Sequence, residues 1–328
     1  MAEVAVTLLD VDEEQARRIM LVDNRTNDLA GYDEQLLAEL LSELPDLAGT
    51  GYGPADLDAL LVELGEPEIE LAEDDPPALA DEPRTKPGDL YVLGRHRLVC
   101  GDAREPSAYA RLLEGEQPEL VFTDPPYGVD YEGKTARRLT LAGDERDGLE
   151  HLLSESFAAS DSVLAPGARI YVAHPAGALS LTFGAAFVGQ DWRLHQTLVW
   201  VKDQIVLGRS DYHYKHESIL YGHKRGAGRT GRGARGWFGD NSQVSVLEVP
   251  RPKASREHPT MKPPELIAVE NSSAAGDVVL DPFAGSGSTL VACERTHRRA
   301  RLIELDPRYC DVIVERYERL TGQTAEQL

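Results

Sequence analysis

The sequence is poor in cysteine and has no long apolar run. Its three cysteines, Cys100, Cys293 and Cys310, are too few and too far apart for a disulfide framework or a zinc site. No stretch is long and apolar enough to span a bilayer, and the acidic cluster at residues 10–14 is wrong for a secretory signal. We therefore expect a cytoplasmic protein with reduced, buried thiols.

Positive charge is also scarce, since 34 lysines and arginines face 56 acidic residues and the net charge is −22. Such acidity opposes non-specific adhesion to nucleic acid, so any nucleic-acid contact needs a locally basic surface. The segment 224–256 is an exception, because its basic residues outnumber its acids and glycine is frequent. It predicts a surface that contacts phosphates, with a solvated loop as the alternative. The residues expected to bind DNA are Lys224, Arg225, Arg229, Arg232 and Arg235.

The most informative stretch is TDPPY at residues 123–127, which follows the short apolar run ELVF. The apolar run predicts a buried parallel strand, and ligands bind at the carboxyl ends of such strands. The prolines fix the backbone and donate no N–H, so the Asp124 carboxylate and the Pro125 carbonyl can be held as two acceptors in one plane. Two such acceptors suit an NH2 group, and Tyr127 adds an aromatic face. A strand that simply ends in a Pro-Pro turn is the alternative.

A second motif lies downstream, where the apolar strand VVLD at 278–281 leads into the glycine-rich turn PFAGSGST at 282–289. Glycine allows the backbone to approach a ligand closely. The strand 300–304 then ends in Glu304, about 20 residues after the turn, where a carboxylate meets a ribose hydroxyl in a nucleotide-binding βαβ unit. No lysine precedes Ser288 and Thr289 as it would in a phosphate-binding loop, so we expect a nucleoside ligand without a triphosphate.

Together with HPTMKP at residues 258–263, these motifs resemble the amino-group DNA methyltransferases that use S-adenosylmethionine. The resemblance covers residues 87–320, and its catalytic motif precedes its cofactor motif, as in the circularly permuted β class. It implies an α/β, Rossmann-like methyltransferase fold with a mixed seven-stranded sheet. It also implies methyl transfer to adenine N6 of a flipped-out base in a specific double-stranded DNA site, without a metal.

The resemblance also assigns roles to individual residues. The catalytic residues are Asp124, Pro125, Pro126 and Tyr127. The residues expected to hold the cofactor are Asp102, Thr260, Lys262, Phe283, Gly285, Ser286, Gly287 and Glu304. Asp102 would face the adenine amine of the cofactor, although it could instead cap the helix that follows. Glu304 would bind the ribose, and Thr260 with Lys262 the methionine carboxylate.

The domain organisation follows from the remaining segments. Residues 1–86 predict a helical accessory region that ends in an acidic, proline-rich linker and weakly resembles the tail of ParB-type nuclease domains. Residues 87–328 predict the methyltransferase domain, with a target-recognition insert at about 203–257. A homodimer and a partner restriction nuclease are both compatible with this class.

Other functions remain open at this stage. Cytosine N4 is the alternative target, although the family's adenine enzymes more often carry aspartate where this chain has Asp124. A catalytically inactive DNA-binding protein would keep the basic segment but not the intact catalytic and glycine motifs. A methylase acting on RNA or on a protein amide would not need the basic segment.

Overall fold

The computed structural model describes residues 76–127, 148–206, 211–226, 228, 237–239, 243–249, 262–263 and 271–328. The predicted N-terminal helical region lies outside these residues, as do Thr260, Arg229, Arg232 and Arg235. All the helices and strands given below belong to one compact unit made of Pro67–Gly239 and Val244–Leu328.

The described residues form ten strands and five helices. The strands are β1 (Leu90–Leu93), β2 (His96–Cys100), β3 (Leu120–Thr123), β4 (Arg169–His174), β5 (Arg193–Val206), β6 (Tyr214–His223), β7 (Val246–Glu248), β8 (Val278–Asp281), β9 (Arg299–Glu304) and β10 (Glu326–Gln327). The helices are α1 (Pro106–Leu113), α2 (Leu149–Val163), α3 (Leu179–Gly189), α4 (Ser288–Arg295) and α5 (Pro307–Thr321).

All ten strands lie in one mixed sheet, in the order β10-β1-β2-β9-β8-β3-β4-β6-β5-β7. Strands β2, β9, β8, β3 and β4 are parallel, whereas β6 runs antiparallel to both of its neighbours. The predicted mixed α/β sheet is confirmed, but its expected number of seven strands is exceeded. The reason is that β1 and β10 extend one edge of the sheet through antiparallel pairs, and β7 extends the other.

The central strands are buried on both faces. Every residue of β3, β4 and β8 is buried, as a parallel strand covered by helices on both sides requires. Alternate residues enter opposite cores, so that Val121 packs in the core with Tyr109 and Phe157, and Phe122 in the core with Tyr171. No helix among the described residues has the length and apolarity needed to cross a membrane.

The sheet has one chemically distinctive edge, where the parallel strands end. Thr123, His174, Asp281 and Glu304 are the last residues of β3, β4, β8 and β9. Strand β6 runs the other way, so its early residue Glu217 lies at this same edge, paired with Trp200 of β5. We refer to this edge as the carboxyl edge.

The folded unit extends to residues before the predicted domain boundary at residue 87. The backbone N–H groups of Arg84 and Thr85 donate to the Asp311 carboxylate at 2.6 and 3.1 Å, and the buried Thr85 hydroxyl donates to the same carboxylate. These contacts join the segment to helix α5. The boundary itself stays a prediction, because residues 1–75 lie outside the described part of the chain.

Candidate active site at the carboxyl edge

The TDPPY motif follows β3 directly at the carboxyl edge. The Thr123 hydroxyl donates to Asp281 Oδ1 at 3.1 Å, which ties the end of β3 to the end of β8. The two prolines then fix the turn, with Pro125 buried and Pro126 partly buried. The motif therefore presents Asp124 and Tyr127 at the place where the sequence predicts them.

Asp124 uses only one of its two carboxylate oxygens. Oδ2 accepts a hydrogen bond from Lys262 Nζ at 2.5 Å. Oδ1 is buried and has no hydrogen-bond partner among the described residues. Burial raises the pKa of Asp124, and the Lys262 ammonium opposes that rise. A buried acceptor without a donor is costly, so this oxygen is a site where a ligand N–H group would be stabilised.

The Tyr127 side chain is held through both its hydroxyl and its ring. Its hydroxyl donates to Glu217 Oε2 at 3.2 Å and accepts from Lys262 Nζ at 3.2 Å. Its ring meets the edge of Phe183, with the centroids 6.1 Å apart. Burial and the neighbouring carboxylates raise the pKa of Tyr127 well above its usual value, so the hydroxyl stays protonated.

Two residues that the sequence did not single out complete this network. Glu217 Oε2 lies 3.1 Å from Lys262 Nζ, and Oε1 accepts from the buried Lys202 ammonium. Burial raises the pKa of Glu217, but the two ammonium groups outweigh burial and lower it to about 2. Glu217 is therefore a carboxylate at neutral pH and joins the two lysines.

His174, which has no role in the sequence interpretation, lies next to this network at the end of β4. Its ring is 6.0 Å from the ring of Phe183, which also contacts Tyr127. Nδ1 bonds the Pro175 carbonyl at 3.0 Å, and Nε2 is buried without a hydrogen-bond partner among the described residues. Burial lowers the pKa of His174, so the ring is neutral and Nε2 is an acceptor.

The glycine-rich turn lies beside this site, between β8 and α4. Gly285 has a φ of 52° and Gly287 a φ of 86°, values that favour glycine over residues with a side chain. A Cβ at Gly285 would meet nothing within 4 Å, so the backbone there borders open space. Phe283 N–H donates to Asp281 Oδ1 at 3.1 Å, and the Ser286 carbonyl accepts from Arg316 at 2.7 Å. Hydrogen bonds with Asp281 and Arg316 thus hold the turn, while its backbone borders open space at Gly285.

Glu304 lies where the sequence predicts a ribose-binding carboxylate, next to the glycine turn. Its Oε2 accepts from the Gly285 N–H at 2.8 Å, and its Oε1 accepts from the Asp306 N–H at 2.8 Å. Each carboxylate oxygen has a second lone pair that can accept a further hydrogen bond. Burial raises the pKa of Glu304 to about 7.

A DNA methylase family model matches residues 119–315, which is more than half of the chain. The matched range includes the TDPPY turn, the Lys262 region, the glycine turn and Glu304. The chain belongs to the N6/N4 DNA methylase family.

Individual relatives are distant. The chain is 27% identical over 244 residues to type II methyltransferase M.HpaI of Haemophilus parainfluenzae, covering 68% of this chain and 74% of the relative. It is 25% identical over 264 residues to DNA adenine methyltransferase YhdJ of Escherichia coli, covering 70% and 85%. Among solved structures, the putative DNA modification methylase TTHA0409 of Thermus thermophilus is 26% identical with a TM-score of 0.49, covering 70% of this chain and 97% of that one.

Asp102 of this DNA methylase lies at the carboxyl edge but does not cap helix α1. The N-cap residue of α1 is Glu105, directly before the helix, so the capping alternative for Asp102 is wrong. Asp102 instead accepts from the Arg104 N–H at 2.9 Å and from its guanidinium, and this ion pair lowers its pKa. Gly101 N–H donates to the Glu304 carbonyl at 2.9 Å, so the segment that carries Asp102 is bonded to the last residue of β9.

The structure places Lys262 differently from the sequence interpretation. The resemblance assigns it to the cofactor carboxylate, yet its ammonium is buried against Asp124, Tyr127 and Glu217. The Asp124 and Glu217 carboxylates stabilise the buried ammonium in this position. The Lys262 carbonyl accepts from the Ser288 hydroxyl at 2.7 Å at the start of α4. Lys262 therefore joins the catalytic motif to the cofactor turn.

Two predicted DNA contacts, Lys224 and Arg225, lie at the opposite edge of the sheet. They follow the end of β6, next to the start of β4. Lys224 donates to the Leu164 carbonyl at 3.1 Å, and Arg225 pairs with Asp191 at 3.1 Å. The structure does not bring them to the active site, because the antiparallel direction of β6 carries them away from it.

The raised pKa of Glu304 predicts a pH-dependent stability. Between its unfolded pKa of about 4.5 and its folded pKa of about 7, the folded protein holds a proton that the unfolded chain has lost. The stability contribution of Glu304 therefore falls as pH rises through this window. The difference in unfolding free energy between wild type and Glu304→Gln should shift by about 2 to 3 kcal/mol from pH 4 to pH 8. Urea titrations at several pH values measure it, and a pH-independent difference would contradict the assignment.

Proposed function

We propose that this DNA methylase transfers a methyl group from S-adenosylmethionine to the N6 amine of adenine in a specific double-stranded DNA site. The observation that carries the proposal is the buried Oδ1 of Asp124, which has no hydrogen-bond partner in the part of the chain that the structure describes. We assign the chain to the DPPY type with the permuted β-class order, since DPPY at 124–127 precedes FAGSG at 283–287.

The exocyclic amine of a base is a poor nucleophile, because its lone pair is delocalised into the ring. Asp124 Oδ1 and the Pro125 carbonyl would each accept one amine hydrogen, which favours a tetrahedral nitrogen with a localised lone pair. Lys262 holds the other oxygen of Asp124, so the free oxygen has a fixed direction. Such preorganised polar groups, together with orientation, supply most of the rate enhancement.

The residues around the glycine turn fit the cofactor. S-adenosylmethionine, when bound, supplies an electrophilic methyl group on a sulfonium. The open backbone at Gly285 and the lone pairs of Glu304 suit its ribose, and the turn contains no phosphate-binding lysine. TTHA0409 has also been solved as a complex with S-adenosyl-L-methionine. We propose Phe283, Ser286 and Gly287 as further contacts along the turn.

The target base must leave the DNA stack to reach this site, because the amine is inaccessible inside a duplex. Tyr127 offers a face for the flipped base, and its hydroxyl bonds hold the ring in one orientation. Its neighbour Phe183 closes one side of the space. A rigid aromatic face lowers the entropy lost when the base stacks on it.

Adenine is the preferred target for two reasons. The aspartate at position 124 is the residue found more often in the family's adenine enzymes, and the relative YhdJ is named a DNA adenine methyltransferase. Cytosine N4 carries the same amine chemistry. Incubation with labelled S-adenosylmethionine and mixed-sequence DNA, followed by digestion to nucleosides, decides between them. Labelled N6-methyl-2′-deoxyadenosine is expected; N4-methyl-2′-deoxycytidine would change the target, and no label in DNA would reject the proposal.

The arginines of the basic segment should control the salt dependence of DNA binding. Each phosphate contact contributes about 0.9 to the slope of log affinity against log salt concentration. Replacing Arg229, Arg232 and Arg235 by alanine should therefore reduce the slope by up to about 3, with unchanged cofactor affinity. Fluorescence anisotropy with duplex DNA at several salt concentrations measures it. Arg225→Ala is the matched control, because Arg225 pairs with Asp191 at the opposite edge. If the triple variant had the same salt slope as Arg225→Ala, DNA would dock elsewhere.

A further inference from the structure

Two buried lysines and two partly buried carboxylates form a continuous chain of alternating charge at the active site. We call Lys202, Glu217, Lys262 and Asp124 the charge ladder. Lys202 bonds Glu217, Glu217 contacts Lys262 at 3.1 Å, and Lys262 bonds Asp124 at 2.5 Å. The two lysines are only 5% and 7% exposed, so none of the three ion pairs is an ordinary surface contact.

The sheet register explains why Lys202 and Glu217 meet. Trp200 of β5 pairs with Glu217 of β6, so both side chains lie on the same face. Lys202 lies two residues after Trp200 and returns to that face, with its ammonium 5.0 Å from the Trp200 ring. Lys202 and Glu217 thus belong to the rigid sheet, whereas Lys262 reaches the site from outside it.

Charge balance in the ladder depends on all four of its members. Two lysines and two carboxylates sum to zero when all are ionised, and each buried charge has a partner of opposite sign. Removal of one partner from such a set leaves an uncompensated buried charge. Glu217 is critical in this respect, since without it Lys202 would lose its carboxylate partner among the described residues and Lys262 would keep only Asp124 there.

We propose that Glu217 and Lys202 are positioning residues, which hold Lys262 so that Asp124 presents one free oxygen and Tyr127 one fixed ring to the target base. The inference rests on the proposed function. Glu217 acts directly, because the same carboxylate contacts Lys262 and the Tyr127 hydroxyl. Lys202 bonds Glu217 and no residue of the TDPPY turn, so its influence passes through Glu217.

A positioning role predicts a lower methylation rate with unchanged cofactor affinity, which a purely structural role does not predict. Glu217→Gln keeps the size of the side chain and removes its charge. It should lower the single-turnover methylation rate by about 10- to 100-fold while cofactor affinity stays within about twofold, because Glu217 contacts Lys202, Lys262 and Tyr127 rather than the glycine turn. Lys202→Met should produce a smaller loss of rate. The double variant should be no slower than Glu217→Gln alone, because residues that act as a unit are not additive.

The experiment compares these variants in the full chain. Single-turnover label transfer gives the rate, calorimetry gives the affinity for S-adenosylmethionine, and thermal unfolding reports the fold. Lys202→Arg keeps the charge and should retain most of the rate. Arg301→Met is the matched control, because Arg301 is also a buried cation that pairs with a carboxylate, Glu116 at 2.6 Å, and neither residue belongs to the ladder. It should lower stability without changing the rate.

The outcomes separate the two proposals. Absence of methylation by the wild-type protein would reject the proposed function, whatever the variants do. With an active wild type, a folded Glu217→Gln variant at the wild-type rate, or rate losses that add in the double variant, would overturn the ladder. If Glu217→Gln does not fold, the two Lys202 variants decide. A lower methylation rate in Lys202→Met together with a near wild-type rate in Lys202→Arg supports the ladder. Equal methylation rates in the two variants reject it.

Discussion

Replacing Asp124 by alanine should slow methyl transfer by about 100-fold or more, with little change in cofactor affinity. The substitution removes the carboxylate of the TDPPY turn, whose Oδ1 has no hydrogen-bond partner among the described residues, so the amine lone pair stays delocalised. It also leaves the Lys262 ammonium with one carboxylate fewer. Single-turnover label transfer at saturating cofactor measures the rate, and calorimetry measures the affinity.

Glu304→Ala is the contrasting variant. Glu304 bonds the glycine turn and lies away from the Asp124 network, so its loss should weaken cofactor binding and appear mainly in the Michaelis constant. The two variants therefore separate chemistry from cofactor binding. An Asp124→Ala protein that binds cofactor normally and methylates DNA near the wild-type rate would remove Asp124 from the mechanism.

The parallel half of the sheet was predictable from sequence. Strands β3 and β8 are short apolar runs bounded by polar or turn residues, and the structure places strands at those runs and at the predicted strand 300–304. Burial on both faces produces a continuous apolar run, which is a strong local signal.

Two helices were missed, for different reasons. Helix α3 contains apolar residues on all sides and Gly184, so it has no helical period, and only Phe183 and Phe187 are buried. Helix α5 has clear boundary signals in its sequence. Asp306 caps it, Pro307 occupies its first turn and Gly322 ends it in the left-handed conformation.

The charge ladder could not be read from the motifs. Lys262 and Asp124 are 138 residues apart, and their contact depends on how the whole sheet brings β3 next to the start of α4. Family resemblance instead connected Lys262 with the cofactor. The isolated acid Glu217 before the apolar run SILYG was a usable signal, since a charge in a buried strand requires a partner. The identity of that partner required the register.

The basic segment shows the limit of charge counting. Lys224 and Arg225 contribute to the same basic run as the downstream arginines, yet they contact α2 and the turn after α3. A basic segment shows only that its cations are close together in the sequence. It does not report which edge of the sheet they reach, because that depends on the direction of β6.

Asp281 is the residue whose loss should damage the fold of the site most. It is buried, and it accepts from Thr123 Oγ1 at 3.1 Å, Phe283 N at 3.1 Å and Thr289 Oγ1 at 2.6 Å. These donors belong to β3, the glycine turn and α4. One carboxylate thus connects the catalytic strand with the cofactor turn, a role that the sequence motifs alone did not indicate.

Asp281→Ala leaves three donors unsatisfied in the core, at about 1 to 3 kcal/mol for each such group, so the free energy of unfolding should fall by about 3 kcal/mol or more. Asp277→Ala is the matched control four residues earlier, since Asp277 is partly buried and accepts mainly from one N–H, that of Ala274. It should cost about 1 kcal/mol. Urea unfolding at pH 8 measures both. Because Asp281 supports both turns, cofactor affinity and methylation rate should fall together, unlike in Asp124→Ala or Glu304→Ala. A stability loss no greater than that of Asp277→Ala would show that the two turns hold their shapes independently.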